Sequence, residues 1–360
     1  AMRGAYHQFD PYQQTLSRIQ ALENIGHPTE KIELLILGGT WSAYPTDYQE
    51  WFVRRCLDAM NAQESTSLRQ AQAWNQDALH RNVGLVIETR PDWVTPGEVA
   101  RLRRQGVTKV QLGVQSLDDA VLSANQRGHT VEHTRQAFRY LRLAGFKVAA
   151  HWMPNLLGAT PTTDRGDFRR LWSDPALRPD ELKIYPCALL ANTPLYDEWR
   201  GGAYRPYDEE TLIQLVADCK AIIPSDCRVN RVTRDIPAPH IIAGSTRANL
   251  RQLVHKRMDE QKIKCRCIRC REIRRQEIDV SHLRWETLVY ATDVSSEYFL
   301  SALTSSGRLA GFLRLSLPRR GARVRLASND HRPSVFDEIR NCAMIRQIHV
   351  YGPALAVGLD

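Results

Sequence analysis

The chain has 360 residues, 43% of them hydrophobic, and a formal net charge of +9. That length and apolar content support two domains, or one large domain with a smaller unit, and the lack of any apolar run of about 18 residues excludes a spanning helix. Ala1-Met2-Arg3-Gly4 has no apolar core of a secretory signal, so Ala1 reads as an appended residue and the natural start is expected upstream.

Pro11 to Asn24 carries apolar residues at helical spacing (Leu16, Ile19, Leu22). Ile32 to Leu37 is a short apolar run ending at Gly38-Gly39, a buried strand. Tyr48 to Asn61 and Leu68 to Leu79 are predicted helices, and Val83 to Ile87 is the next strand. Thr95-Pro96-Gly97-Glu98 has a capping residue, Pro at the first helical position and Glu at the third, which starts a helix that ends near Gly106. Thr108 to Gly113 is a strand, Val131 to Leu143 a helix, Lys147 to Trp152 a strand and Asp167 to Trp172 a helix. Glu181 to Tyr185 is a strand and Glu209 to Ile222 a helix. Such alternation argues for a parallel sheet with helical crossovers, either doubly wound or a full or partial barrel. Beyond about Arg275 the pattern changes. Trp285 to Ala291 and Met344 to Tyr351 read as strands, and Tyr298 to Leu317 as a hairpin around Ser306-Gly307.

Polar and glycine residues follow the strands. They are Gly38-Gly39-Thr40, Glu88 with Arg90, Gln115, then Arg127-Gly128-His129, His151, and Lys183 with Tyr185. In β/α barrels this end carries the active site. Each also has a plainer reading, as a tight turn, a rim ion pair, a cap or a satisfied core histidine. Cys265-Arg266-Cys267-Ile268-Arg269-Cys270 is C-x-C-x-x-C, three thiols within six residues. That set suits Zn²⁺, with His240 as the chosen fourth ligand and His255 or Cys227 as alternatives. The other five cysteines are scattered, which fits a reducing cytoplasm rather than a disulfide framework. From Arg247 to Arg275 there are eleven Lys/Arg against three acids, a net +8 that leaves +1 for the rest. That concentration is the footprint of a polyanion partner. No GxSxG, Walker, HExxH or GxGxxG motif anchors a hydrolase, NTPase or NAD reading.

In order, ELLILGGTWSAYP, GLVIETRPDWVT, VQLGVQSLDDAVLSANQRGHT, ELKIYPCALLANTPLY, RDIPAPHIIAG, CRCIRCREI and IRQIHVYG resemble the Elongator catalytic subunit family across nearly the whole chain. The resemblance implies an α/β fold. A partial (β/α) radical S-adenosylmethionine (SAM) barrel would occupy residues 1–235, a basic zinc-binding linker 236–280, and a truncated GNAT-like acetyltransferase unit 281–360. It implies SAM at Gly38, Gly39, Thr40, Glu88, Arg90, Gln115 and Arg127, with catalytic roles for His151, Lys183 and Tyr185. Ile348, His349, Val350 and Tyr351 would receive acetyl-CoA. Lys256, Arg257, Lys262, Lys264, Arg266, Arg269, Arg271, Arg274 and Arg275 would track the tRNA backbone. The implied reaction is carboxymethylation at C5 of the tRNA wobble uridine, with a [4Fe–4S] cluster, SAM and acetyl-CoA, and with accessory Elongator-type subunits as partners.

Two departures qualify the expectation. No cluster motif, C-x₃-C-x₂-C or a longer-spaced variant, lies near the start, so its ligands are expected either upstream of residue 1 or lost. The acetyltransferase pyrophosphate loop does not follow IHVYGPALAVGLD. The chain as written is therefore expected to be inactive while still binding tRNA. Three rival readings are a non-catalytic tRNA-binding scaffold, a radical SAM enzyme related to coproporphyrinogen oxidase, and a histone acetyltransferase. The coproporphyrinogen oxidase relative shares GGT and GVQS…RGH, and the +8 segment argues against its porphyrin substrate.

Overall fold

A computed structural model describes residues 2–234, 236–274, 276, 278–319, 339 and 342–352. They fall into two compact units, one containing residues up to Thr89 with Pro96–Val110, the other Arg90–Thr95 and Gln111–Gly352.

In the first unit a short helix, Met2–Tyr6, precedes the helix Pro11–Glu23, whose start is fixed by the Asp10 carboxylate accepting the Tyr12 N–H at 2.8 Å. Strand β1 (Lys31–Ile36) runs parallel to β2 (Arg81–Thr89), with Leu34 opposite Leu85. The helix Thr46–Asn61 buries Val53, Cys56, Leu57 and Met60 along one face. A buried polar chain supports the turn after β1. Trp41 Nε1 donates to Gln105 Oε1 at 3.2 Å, and Gln105 Nε2 donates to Gln49 Oε1 at 2.9 Å. The helix expected to reach Leu79 stops at Asn75. There the Asn75 side chain bonds Asn61, the His80 carbonyl and the Asn82 N–H, which turns the chain into β2.

Strand β3 (Val107–Gln115) begins in the first unit and ends in the second. The second unit continues with β4 (Lys147–Trp152), β5 (Glu181–Ile184) and β6 (Arg228–Arg231), all parallel. The strands follow one another in chain order without reversal. A doubly wound sheet reverses its order at a switch point, so this is the singly wound arrangement of a partial barrel. The helix expected at Asp167 starts at Pro161, because Thr160 caps it and Pro161 takes the first position. The helix Leu250–Glu260, which has no counterpart among the predicted elements, lies in the basic segment.

An antiparallel sheet closes the second unit, formed by β7 (Arg284–Ala291), β8 (Ser295–Leu303), β9 (Leu309–Pro318) and β10 (Met344–Val350), in the order β10-β9-β8-β7. Its attachment is ionic as well as apolar. Arg346 is buried and forms two 2.8 Å bonds to the Asp180 carboxylate, two more to Glu297 at 3.0 and 2.8 Å, and a fifth, at 3.2 Å, to the Phe146 carbonyl. Arg314 lies 3.4 Å from Asp180, and Ser295 and Ser316 donate to Glu297. Burial alone would push the Asp180 carboxyl up, but the charges of Arg346 and Arg314 and the Arg346 hydrogen bonds overcome it and hold Asp180 well below the usual range.

Candidate functional site

Polar side chains gather at the C-terminal ends of β3, β4 and β5 in the second unit. His151 on β4 stands opposite Lys183 on β5. The Gln111 amide oxygen accepts from Lys183 Nζ at 2.5 Å and from His151 Nε2 at 2.9 Å. Because that oxygen can only accept, Nε2 carries the imidazole proton. The Tyr185 ring meets His151 edge-on at 5.4 Å and lies 5.8 Å from Lys183 Nζ. Burial, then the charges of Lys183 and Arg234, push His151 down to about 3, so the ring is neutral at physiological pH. Gln111 was not among the expected site residues. Its mark in the sequence is the alternation Lys109, Gln111, Gln115 on one face of a strand that is otherwise apolar.

Gln115 ends β3 with φ +66, a backbone state that costs a non-glycine residue roughly 1–3 kcal/mol. Its buried side-chain oxygen has no hydrogen-bond partner among the described residues, and neither has Nε of Arg127. Arg127 is pushed below its usual range by burial and then by the neighbouring Arg90 charge. Arg90 is held by Asp92 through bonds of 3.0 and 2.6 Å. Its guanidinium occupies space that only glycine leaves free. A Cβ on Gly128 (φ +69) would stand 2.9 Å from Arg90 Nη2. In the first unit, Gly38 and Gly39 follow β1 with open space around both, Gly38 at φ +120, and Thr40 leads into the turn Trp41–Ala43. Glu88 is the penultimate residue of β2 and half-buried.

The sulfurs of Cys265, Cys267 and Cys270 lie within 4.8 Å of one another. A tetrahedral ion with Zn–S bonds of about 2.3 Å holds sulfurs roughly 3.8 Å apart, so the trio fits one metal ion. Hydrogen bonds from Cys265 and then Cys270 hold the Cys267 thiol far below its usual range, and the Lys220 charge adds to this. The nearby imidazole is His255, whose Nε2 lies 3.8 Å from Cys270 Sγ. His240 sits exposed at the end of the turn Ala238–His240 and is not part of this group. Cys227 approaches through its backbone, its carbonyl accepting the Ile268 N–H at 2.9 Å.

The basic segment divides. Arg257 is spent on Glu210 and Glu260, and Lys256 lies 4.0 Å from Glu260. Arg271 donates to the Arg266 and Ser225 carbonyls. Lys262, Lys264, Arg266, Arg269 and Arg274 are exposed and have no ion-pair partner among the described residues. Arg275 lies outside the described residues. A cavity of about 220 Å³ beside this segment is lined by Ser225, Arg266, Arg271, Glu286, Thr287, Leu288 and Ser301.

Strand β10 is the edge of its sheet, paired with β9 through Gly311 opposite Val350 and Phe312 opposite His349. Ile348 and Val350 are 62% and 80% exposed, leaving an apolar edge. His349 stacks on Phe312 at 5.8 Å, and the Tyr351 hydroxyl accepts from Arg228 at 3.0 Å. Arg228 is in turn paired with Glu272 at 2.5 Å.

Against known proteins, the radical SAM superfamily model matches residues 5–165 and the Radical_SAM C-terminal domain matches residues 179–260. The chain is 40% identical over 366 residues to a tRNA uridine(34) acetyltransferase of Methanocaldococcus infernus, covering 100% of this chain and 66% of that protein. It is 38% identical over 354 residues to the protein of the same name from Dehalococcoides mccartyi, covering 98% of this chain and 75% of the relative. A solved structure of M. infernus Elp3 with an N-terminal deletion superimposes with TM-score 0.90 at 40% identity, over 99% of this chain and 83% of that one. The chain belongs to the Elongator catalytic subunit family.

It spans about two thirds of the length of the M. infernus relative. Within its radical SAM segment the lone cysteine is Cys56, buried, pushed up to about 12 by burial, and hydrogen-bonded to the Pro11 carbonyl. That does not fit the three-thiolate ligand set of an iron–sulfur cluster. No helix among the described residues is long and apolar enough to cross a membrane.

Proposed function

We propose that this Elongator-family chain carries the core of an enzyme that modifies the wobble uridine of tRNA at C5, using radical SAM chemistry and acetyl-CoA. The observation that carries the reading is two buried polar atoms with no hydrogen-bond partner among the described residues, the Gln115 amide oxygen at the end of β3 and Arg127 Nε in the loop that precedes the helix Val131–Leu143. Buried polar groups without partners are rare in folded chains, and these lie in a radical SAM family segment whose relatives are named tRNA uridine(34) acetyltransferase. Gln115 and Arg127, with Arg90 beside them, suit the carboxylate and ammonium of SAM. Gly38, Gly39, Thr40 and Glu88 are proposed for the same cofactor, the glycines allowing close backbone approach. Bound SAM and its cluster supply one-electron hydrogen-abstraction chemistry. The cluster's ligands are not assigned to residues of this chain.

Lys183, His151 and Tyr185 are proposed to work beside it. Gln111 holds the lysine ammonium and fixes the histidine tautomer, so a cation and a neutral imidazole stand at fixed positions. The open edge of β10, at Ile348, His349, Val350 and Tyr351, is proposed to take the acetyl-CoA backbone within a GNAT-like unit spanning residues 281–360. Cys265, Cys267 and Cys270 are proposed to bind zinc, with His255 in place of His240 as fourth ligand. The unpaired cations Lys262, Lys264, Arg266, Arg269 and Arg274 are proposed to contact RNA phosphates, which position rather than specify.

The test is a tRNA titration of the chain across salt. An affinity that falls steeply with salt is expected. No detectable tRNA affinity at low salt would overturn the reading.

A further inference from the structure

Lys220 is a lysine that the fold has buried completely. It lies near the end of the helix Glu209–Ala221 with 0% exposure. An ammonium in that position is costly unless an anion answers it. Among the described residues no carboxylate does. The groups within reach are sulfurs, Cys265 Sγ at 3.4 Å and Cys270 Sγ at 4.0 Å. Of the other cations near the thiols, Arg251 is committed to the Val229 carbonyl at 3.1 Å, and Arg269 is exposed.

Charge counting gives this placement a meaning. Three thiolates and one divalent ion leave a net −1, and a neutral imidazole as fourth ligand adds nothing. One ammonium brings the buried group to zero. We propose that Lys220 is the outer-sphere counter-ion of the Cys265/Cys267/Cys270 metal site. Its ammonium donates N–H···S bonds to two of the sulfurs, balances the charge left by a divalent ion, and slows both loss of the metal and attack of electrophiles on the thiolates. Lys220 is a positioning residue, acting through the sulfurs and not on the ion. The inference rests on the zinc reading of the three cysteines. Partners in this outer position typically change metal affinity about 10–100-fold.

The experiment uses the full chain loaded with Zn²⁺ alone. Zinc affinity is measured by competition with a chromogenic chelator, and thiol exposure by the rate of iodoacetamide alkylation. Lys220→Met is expected to weaken zinc retention about 10–100-fold and to speed alkylation, while Lys220→Arg, which keeps the charge and the donors, restores both. Cys265→Ser removes one thiolate, so adding Lys220→Met to it is expected to cost far less than Lys220→Met alone. If Lys220→Met does not fold, Lys220→Gln takes its place in the same comparison. Equal zinc affinity in Lys220→Met and the parent chain sinks the counter-ion role and leaves the zinc reading standing. A parent chain that binds no zinc at all overturns both.

Discussion

Two buried charged groups in the second unit make a useful contrast. Where the antiparallel sheet attaches, two arginines (Arg314 and Arg346) face two carboxylates (Asp180 and Glu297), so the chain supplies both signs itself. At the thiol group one ammonium reaches two sulfurs of a three-cysteine set, and three thiolates with that ammonium come to zero when a divalent ion is added. The first arrangement holds structure together. The second suits the proposed zinc. Gln115 at the end of β3 and Arg127 resemble it in part, with a buried amide oxygen and an Nε that have no partner among the described residues.

The contrast is broken most directly at Arg346. Arg346→Met leaves Asp180 and Glu297 short of a cation in the interior, and removing one partner of such a buried pair costs about 3–5 kcal/mol. Urea denaturation at neutral pH is expected to show that loss; a change below about 1 kcal/mol would mean these charges behave like surface ones. The same group has an acid limit. Asp180 is held below its unfolded value, so its contribution is present above roughly pH 4 and lost as pH falls toward the folded value.

At the thiol group the sharpening comparison is between two histidines. His255→Ala is expected to weaken zinc binding markedly, whereas His240→Ala, 15 residues earlier in sequence and exposed, is expected to leave it unchanged. The reverse result in chelator competition would return the fourth position to His240.

Asp164 is an intermediate case, a buried carboxylate with no ion-pair partner among the described residues. It accepts the Asn155 N–H at 2.8 Å and the Tyr207 hydroxyl at 2.9 Å. Burial pushes it up to about 6. A raised carboxyl contributes stability that is full below the unfolded value and lost as pH rises through the folded one. Asp164→Asn is therefore expected to gain about 1–3 kcal/mol at neutral pH relative to acid pH. Thermal melts of the variant that show no pH-dependent gain would argue against a poorly compensated carboxylate.

The smallest effects belong to the surface. Neutralising Lys262, Lys264 or Arg266 singly is expected to shrink the slope of log affinity for tRNA against log salt by about one each. Arg257→Gln, already paired with Glu210 and Glu260, is expected to change the slope little. Equal losses at all four positions would show that intramolecular pairing does not govern which cations meet RNA.

Much of this was legible beforehand. Val131–Leu143 and Lys147–Trp152 fall where apolar periodicity puts them, and the three cysteines declare themselves by spacing. The misses have physical reasons. The helix Leu250–Glu260 hides its buried stripe, Leu250, Val254 and Met258, among charges. Without that helix, nothing marks His255 as inward-facing and the more distant His240 looks equally suitable. Arg346 is harder still. Strand alternation would put Arg346 outside and its neighbour Ile345 inside, but Ile345 is exposed and Arg346 is buried. The register skips Arg346 between Ile345 and Gln347, and such an irregularity re-aims a side chain. Gln111 was readable from strand alternation alone, but its two partners come from other strands, and a single sequence does not reveal that.

Metal content per chain, determined by elemental mass spectrometry on the purified protein and on Cys267→Ser, bears most directly on the idea that these sulfurs await an ion. One zinc per parent chain and a large loss in the variant is the expected result. A folded parent chain without stoichiometric metal would contradict it.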